Sequence, residues 1–157
     1  MEELYRRGYV QVKRPAVSFE GLRFAHSDGR YRFPEELHPE PPAPDGYPLR
    51  LLSLIRIEAT HSQMLAEDQI HPRKAYLAPD RRAWDSLDRS RPVLLISPLG
   101  QLEVQLMELP GLHPDAVVYR RGDWLKLGGR INQLIADVAT DHGWGAAYYA
   151  QHVQLEN

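Results

Sequence analysis

A strand–turn–strand pattern lies in the middle of the chain: Pro92-Val-Leu-Leu-Ile-Ser97, then Pro98-Leu-Gly100, then Gln101-Leu-Glu-Val-Gln-Leu-Met-Glu-Leu109. The first stretch is almost wholly apolar. The last stretch alternates polar and apolar residues from Gln101 to Leu106, which is the period of a strand with one buried and one solvated face. The pattern predicts an antiparallel hairpin with one face on a core.

Three stretches outside this hairpin also have the pattern of strands. Leu49–Ile57 is apolar nearly throughout, Leu112–Tyr119 leads into a strand, and Gln151–Leu155 alternates as a closing strand. The polar stretch Glu58–Arg73 predicts a long loop, and Pro79–Leu87 predicts a short helix because proline suits a first helical turn. A mainly β chain with one or two short helices and long loops is typical of a closed β-barrel.

The first 46 residues are predicted to form a separate N-terminal segment. The turn signal Ser27-Asp-Gly29 lies between the β-like fragments Leu22–Phe24 and Arg30–Phe33, which predicts a small hairpin. Six of the next fifteen residues are prolines. Because proline fixes φ and lacks an N–H donor, this stretch is predicted to be an extended strap. The barrel domain is then expected to span residues 47–157.

Composition excludes several classes of function. With 157 residues, 43% of them hydrophobic and 25% charged, the chain has the makeup of one soluble globular domain. Its net charge of −2 gives no field that favours nucleic acid. No apolar run approaches the roughly 20 residues that span a bilayer, so no membrane insertion is expected. The compartment stays open, with the cytoplasm slightly favoured because the N-terminus lacks an apolar signal core.

Side chains that commonly carry catalysis or metals form no recognisable set. The chain has no cysteine, which excludes disulfides, thiolate metal sites and a cysteine nucleophile within it. Its seven histidines include no pair with i, i+4 spacing. Ser53, Ser62 and Ser97 lack the glycines that frame a hydrolase nucleophile. We therefore predict no metal site and no catalytic residue in this chain.

Two polar segments about 70 residues apart are the candidates for ligand binding. Thr60-His-Ser-Gln63 offers consecutive donors and acceptors directly after a strand, and Ile131–Tyr149 contains Asn132 and Asp141. Taken singly, each also fits an ordinary role, such as a capped polar loop, an Asx turn at Asp141 or an aromatic packing surface at Tyr148-Tyr149. Their order along the chain gives them weight together.

From about Tyr47 to Glu156, the chain contains an ordered series of short motifs. They are Tyr47-Pro-Leu-Arg-Leu-Leu-Ser53, His61-Ser-Gln63, Pro98-Leu-Gly-Gln-Leu-Glu-Val104, Ile131-Asn-Gln-Leu134, Thr140-Asp-His-Gly143, Ala146-Ala-Tyr-Tyr149 and Val153-Gln-Leu-Glu156. In this series the chain resembles the C-terminal molybdopterin-dinucleotide-binding domain of the dimethyl sulfoxide reductase family, the molybdenum and tungsten bis-pterin oxidoreductases.

The resemblance implies a fold, a cofactor and a set of binding residues. The fold is a six-stranded double-psi β-barrel, and the cofactor is molybdopterin guanine dinucleotide, held by loops at one end. The implied cofactor-binding residues are Ser53 and Arg56 beside the dinucleotide, His61, Ser62 and Gln63 at the pterin or phosphate, Asn132 and Tyr149 closing over it, and Asp141.

In that family, the metal ligand and most of the substrate funnel belong to other domains. The resemblance therefore implies a domain or subunit of a molybdenum or tungsten oxidoreductase, with the remaining domains or subunits as partners, that does not catalyse alone. One alternative is a pterin-free double-psi barrel used as a protein-interaction or substrate-recognition module. Another is the aspartate-decarboxylase type of barrel, which matures at a Gly-Ser bond, and this sequence has no Gly-Ser pair.

Overall fold

Six strands close into a barrel. They are β1 Leu49–Leu54, β2 Lys74–Leu77, β3 Val93–Ser97, β4 Gly100–Glu108, β5 Ala116–Arg120 and β6 Gln151–Glu156. Around the barrel, they neighbour one another in the order β1-β5-β2-β4-β3-β6. The structure is a computed structural model that describes residues 2–11, 13–36, 39–80, 86–129, 131–140 and 143–157. The chain divides into two compact units, Met1–His38 and Pro39–Asn157, and the second contains the barrel.

The strand pairings have a twofold pattern that interlocks the two halves of the barrel. β1 pairs with β5 and β2 with β4 in parallel, while β1–β6, β2–β5, β3–β4 and β3–β6 are antiparallel. Exchanging β1, β2 and β3 for β4, β5 and β6 reproduces every pairing with its direction. As a result, β5 lies between β1 and β2, and β2 lies between β4 and β5. The predicted mainly β, six-stranded double-psi barrel is confirmed.

The strand directions sort the connections into two groups. β1, β3 and β5 run one way and β2, β4 and β6 run the other, so residues 55–73, 98–99 and 121–150 connect strands at the same end. We call this the loop end, residues 55–73 the first loop, and residues 121–150 the last loop. Residues 78–92 and 109–115 connect strands at the opposite end.

Inward-facing side chains of all six strands fill the barrel. On β4, the predicted alternation is confirmed, since Leu102, Val104 and Leu106 are buried and the residues between them are exposed. A 3-10 turn of the last loop, Ile131–Leu134, contributes to the same core, so this loop packs onto the barrel. The buried core consists of Leu49, Leu51, Ala75, Leu77, Val93, Leu95, Leu102, Val104, Leu106, Val117, Tyr119, Ile131, Leu134 and Val153.

Strand β2 is the barrel element that the sequence patterns do not predict. Its four residues lie between the predicted loop and the predicted helix, and four residues are too few to show a period by themselves. Ala75 and Leu77 are fully buried because β4 and β5 flank the strand on its two sides. Long-range pairing, rather than local pattern, defines this strand.

The first predicted strand is longer than the observed one, and the predicted helix lies mostly in residues that the structure does not describe. β1 ends at Leu54, whose partner is Arg120, so Ile55 and Ile57 lie beyond the last pair and are exposed. The predicted helix Pro79–Leu87 lies mostly outside the described residues, because 81–85 are not described.

The N-terminal unit begins with a short helix that the sequence analysis does not assign, α1 Glu2–Arg7. Glu3 and Arg7 form an i, i+4 ion pair at 3.2 Å. Gly8, at φ 75°, ends the helix by donating its N–H to the carbonyl of Leu4.

No helix in the described part of the chain is long and apolar enough to cross a membrane.

In the same unit, the predicted hairpin is limited to its turn. Gly29, at φ 69°, donates its N–H to the carbonyl of His26, and Phe24 donates its own to Gly29. The described residues on either side form no strand. Aromatic rings pack there instead, with the centroids of Phe24 and Tyr31 5.2 Å apart.

Candidate functional site

At the loop end, the first and last loops bind directly to each other. Trp124 donates its backbone N–H to Oε1 of Gln69 at 2.7 Å, and its indole Nε1–H to the carbonyl of Ser62 at 2.7 Å. Nη2 of Arg73 donates to the carbonyl of Leu127 at 3.0 Å. Because side chains from both loops take part, the sequence of each loop determines how the two meet.

Two glycines of the last loop permit close approaches of the backbone. At Gly122, φ is 120°, and a Cβ there would overlap the carbonyl oxygen of His61 in the first loop. At Gly129, a Cβ would overlap the side chain and backbone of Asp123, so this glycine permits a close contact within the last loop itself. Glycine suits such positions because it has no Cβ, and at Gly122 also because it tolerates positive φ. Gly122 therefore allows the last loop to lie against the first.

Tyr119, Asp123 and Arg56 form a hydrogen-bonded network next to this contact. The hydroxyl of Tyr119, a buried residue of β5, donates to Oδ2 of Asp123. Nη2 of Arg56 donates to Oδ1 of Asp123 at 2.5 Å, and the Asp123 side chain is only 8% exposed. Burial raises the pKa of Tyr119 above its ordinary range, and the Asp123 carboxylate raises it further. Tyr119 thus stays a donor and holds the carboxylate in place.

A cleft of about 230 Å³ opens beside this network, between the first loop, the start of β2 and the last loop. The charged side chains that line it are Arg56, Arg73, Lys74 and Arg120, with Asp68 and Asp123. Cations outnumber carboxylates there by two, although the chain as a whole has a net charge of −2. We call this feature the basic cleft.

Three of the predicted cofactor-binding residues, Ser53, Arg56 and Tyr149, lie at the contact between β1 and the last loop or next to it. Ser53 is fully buried, and its hydroxyl donates to the carbonyl of Tyr148 at 3.3 Å. Arg56 belongs to the Asp123 network, and Tyr149 is exposed. Ser53 is therefore close to the chain segment that carries Tyr149, while its own side chain is enclosed.

The predicted residues His61, Ser62 and Gln63 lie together on an exposed turn of the first loop. His61 has a φ of 53°, and Gln63 donates its N–H to the carbonyl of Thr60 at 3.0 Å. Asn132 is exposed on the 3-10 turn of the last loop. Within the described ranges, no hydrogen bond joins these three residues to Asn132 or Tyr149. Asp141 lies outside the described residues.

The sequence patterns do not single out Tyr119, Asp123, Trp124 or Arg73. One signal was available, because Arg120-Arg121-Gly122-Asp123 follows a buried strand directly, as Thr60–Gln63 nearly does. Arg73 carries no comparable signal. Its partner, the carbonyl of Leu127, is 54 residues away, and only the closed barrel brings the two together.

Apolar side chains are also exposed at the loop end. Among the described residues of the barrel unit, every exposed large hydrophobic side chain lies in one of the three connections of the loop end. These side chains are Ile55, Ile57, Leu65, Ile70, Leu99, Leu125, Val138, Trp144, Tyr148 and Tyr149. Clustered exposed apolar side chains are typical of surfaces that contact another molecule.

The barrel has a counterpart in a solved structure. The chain is similar to part of "Acetylene Hydratase from Pelobacter acetylenicus", with a TM-score of 0.58 and 17% sequence identity. The match covers 88% of this chain and 22% of that chain, so this chain spans about a fifth of its length. At this identity, the likeness concerns the fold. No protein-family model and no curated protein matches the chain.

Proposed function

We propose that this chain binds molybdopterin guanine dinucleotide as a domain or subunit of a molybdenum or tungsten oxidoreductase. The metal and the redox chemistry come with the cofactor in the complete enzyme, while this chain binds and orients the dinucleotide. Two findings support the proposal. The motifs occur in the order seen in the dimethyl sulfoxide reductase family, and a similar fold occupies 22% of a much longer chain, acetylene hydratase.

The common position of the predicted binding residues is the observation that carries the proposal. Strand directions place the first loop, with His61–Gln63, and the last loop, with Asn132 and Tyr149, at one end of the barrel. A pterin and a guanine have many hydrogen-bonding edges that imidazole, hydroxyl and amide groups can pair with. Residues distant in sequence are thus available to one extended ligand.

An unpaired donor near these residues favours an anionic ligand. Nη1 of Arg121 is buried and has no acceptor among the residues that the structure describes. The Arg121 guanidinium lies 4.3 Å from the ring centroid of Tyr148. A buried donor without a partner is unfavourable, so a diphosphate oxygen that accepted from it would be stabilising. The exposed rings of Trp144 and Tyr149 offer flat faces to a heterocycle. The residues present therefore fit the group.

Anaerobic titration of the chain with free molybdopterin guanine dinucleotide tests the proposal. A His61→Ala/Asn132→Ala double variant removes one exposed polar side chain from each loop. We expect the wild-type chain to bind and the double variant to bind about 5- to 150-fold more weakly, since two lost hydrogen bonds of about 0.5–1.5 kcal/mol each remove about 1–3 kcal/mol.

The matched control removes the same two residue types at the opposite end. His113 lies in the connection 109–115 and Asn157 follows β6, and both are exposed. The His113→Ala/Asn157→Ala variant is expected to bind like the wild type. Equal affinity for wild type and His61→Ala/Asn132→Ala would reject these contacts, and no binding by the folded wild type would reject the function.

A second candidate is a pterin-free barrel that acts as a protein-interaction module. The exposed apolar side chains of the loop end favour it, because a protein partner would bury them. This candidate predicts that Trp144→Ala abolishes capture of a protein partner while the chain shows no affinity for the dinucleotide. Saturable binding of the dinucleotide would decide against it.

A further inference from the structure

We infer that the basic cleft binds a phosphate-type oxyanion, either a free ion or a phosphoryl group of a larger ligand. The inference goes beyond the proposed function because it needs no pterin. It rests chiefly on Arg73 and Lys74, at the start of β2, which are not among the predicted cofactor-binding residues. Arg56 is the one residue that belongs both to the basic cleft and to that predicted set.

Among the residues that the structure describes, Arg73 has no counterion. Its Nη2 donates to the carbonyl of Leu127, but no carboxylate in the described part of the chain lies within 4.0 Å of its nitrogens. The same is true of Lys74 and of Arg120, which donates to the carbonyl of Ile55 at 3.0 Å. Like charges that share one cleft repel each other. A bound oxyanion would relieve that repulsion.

Unsatisfied donors lie in the same place. Nε of Arg56 and Nε of Arg73 are both buried, and neither has an acceptor among the described residues. Both side chains line the basic cleft. Phosphate accepts paired hydrogen bonds from the planar guanidinium group and also attracts an ammonium group as a point charge. The cleft therefore combines the donor types that phosphate recognition uses.

A hydrogen bond to the Leu127 carbonyl ties the Arg73 guanidinium to the last loop. Gly128 has a φ of 82°, which favours glycine, and its lack of a Cβ leaves space for this guanidinium. The volume of about 230 Å³ is below the roughly 300 Å³ at which pockets for drug-sized ligands begin. A small ion or one group of a larger ligand suits this size.

Calorimetric titration of the full chain with inorganic phosphate and with pyrophosphate, in a phosphate-free buffer, tests the inference. We expect Arg73→Gln to weaken binding about ten-fold through loss of charge-assisted hydrogen bonds. Lys74→Gln should weaken it by a smaller factor. Because Lys74 is exposed, this second variant keeps the test valid if Arg73→Gln does not fold.

Arg50→Gln is the matched control. Arg50 lies near the start of β1, at the opposite end of the barrel, and it is paired with Glu40. Its loss removes one charge from outside the basic cleft. We expect the affinity of this variant for phosphate to equal that of the wild type. The inference fails if the folded wild type binds neither anion, or if Arg50→Gln weakens binding as much as the two cleft variants do.

The outcome is separable from that of the proposed function. Phosphate binding that depends on Arg73, in a chain without affinity for the pterin dinucleotide, supports this inference and rejects the proposed function. Binding of the dinucleotide without binding of phosphate supports the proposed function and rejects this inference. If guanosine diphosphate competes with phosphate and binds more tightly than phosphate, the cleft binds a phosphoryl group of a larger ligand. If phosphate binds as tightly as guanosine diphosphate, the cleft binds the free ion.

Discussion

Asp123 is one of the residues that join the two loops. Its carboxylate accepts hydrogen bonds from the buried Tyr119 hydroxyl and from Arg56, so a strand, the first loop and the last loop meet at one side chain. Such a carboxylate is stabilised by charge-assisted hydrogen bonds, which are stronger than neutral ones. Removal of either partner should loosen the loop end before it affects the barrel core.

Tyr119→Phe keeps the ring in the core and removes the donor to Asp123. We expect the free energy of unfolding to fall by about 1.5–3 kcal/mol, the range for a hydrogen bond to a charged group. Urea denaturation followed by circular dichroism measures it. Tyr9→Phe is the control, because Tyr9 is exposed and its change should leave stability unaltered. An equal effect of both changes would contradict the network.

Stability should also depend on pH through Tyr119. Its pKa is raised in the folded chain, so the protonated folded form is favoured, and its contribution is complete below the unfolded value of about 10. Above that pH, the unfolded chain loses this proton while the folded chain retains it, and the free energy of unfolding declines. We expect a smaller decline in Tyr119→Phe, measured by denaturation at pH 9 to 11. Identical slopes would contradict the assignment.

Among the strands and loops, the sequence predicts those that neighbouring residues determine. The β3–β4 hairpin could be predicted because its two strands are adjacent in sequence and β4 alternates from Gln101 to Leu106. β2 could not, since its four residues are defined by β4 and β5 far along the chain. The candidate site also has a part that local sequence predicts and a part that it does not. The first loop shows its polar turn locally, whereas the pairing of Arg73 with the last loop exists only after the barrel closes.

Gly122→Ala tests the close approach of the two loops. Both the φ of 120° and the overlap with the His61 carbonyl oppose a Cβ. Gly111→Ala is a matched control, because Gly111 has a φ of 82° but no atom within 4 Å of a Cβ. We expect Gly111→Ala to cost about 1 kcal/mol and Gly122→Ala clearly more, as measured by thermal denaturation. Equal costs would show that the loops do not meet as described.

At the scale of the whole molecule, the barrel carries its own core. Every core residue lies between Leu49 and Val153, inside the unit Pro39–Asn157. The family resemblance of the ordered motifs implies a double-psi barrel, which is expected over residues 47–157. It does not predict the interior arrangement of the N-terminal unit, where aromatic packing replaces the expected hairpin strands.

A chain consisting of residues 39–157 should therefore fold by itself. We expect it to unfold in one cooperative transition with a melting temperature close to that of the full chain, because no core side chain is removed. Differential scanning calorimetry of the two chains measures this. Loss of cooperative unfolding in the shorter chain would show that the barrel needs residues 1–38.

Hydrogen–deuterium exchange with and without molybdopterin guanine dinucleotide shows whether the two long loops at one end of the barrel bind this cofactor, because it reports on both loops at once. We predict slower exchange in residues 55–73 and 121–150 when the cofactor is present, and unchanged exchange in residues 109–115 at the opposite end. Unchanged exchange in both loops, or protection confined to the opposite end, would contradict binding by these loops.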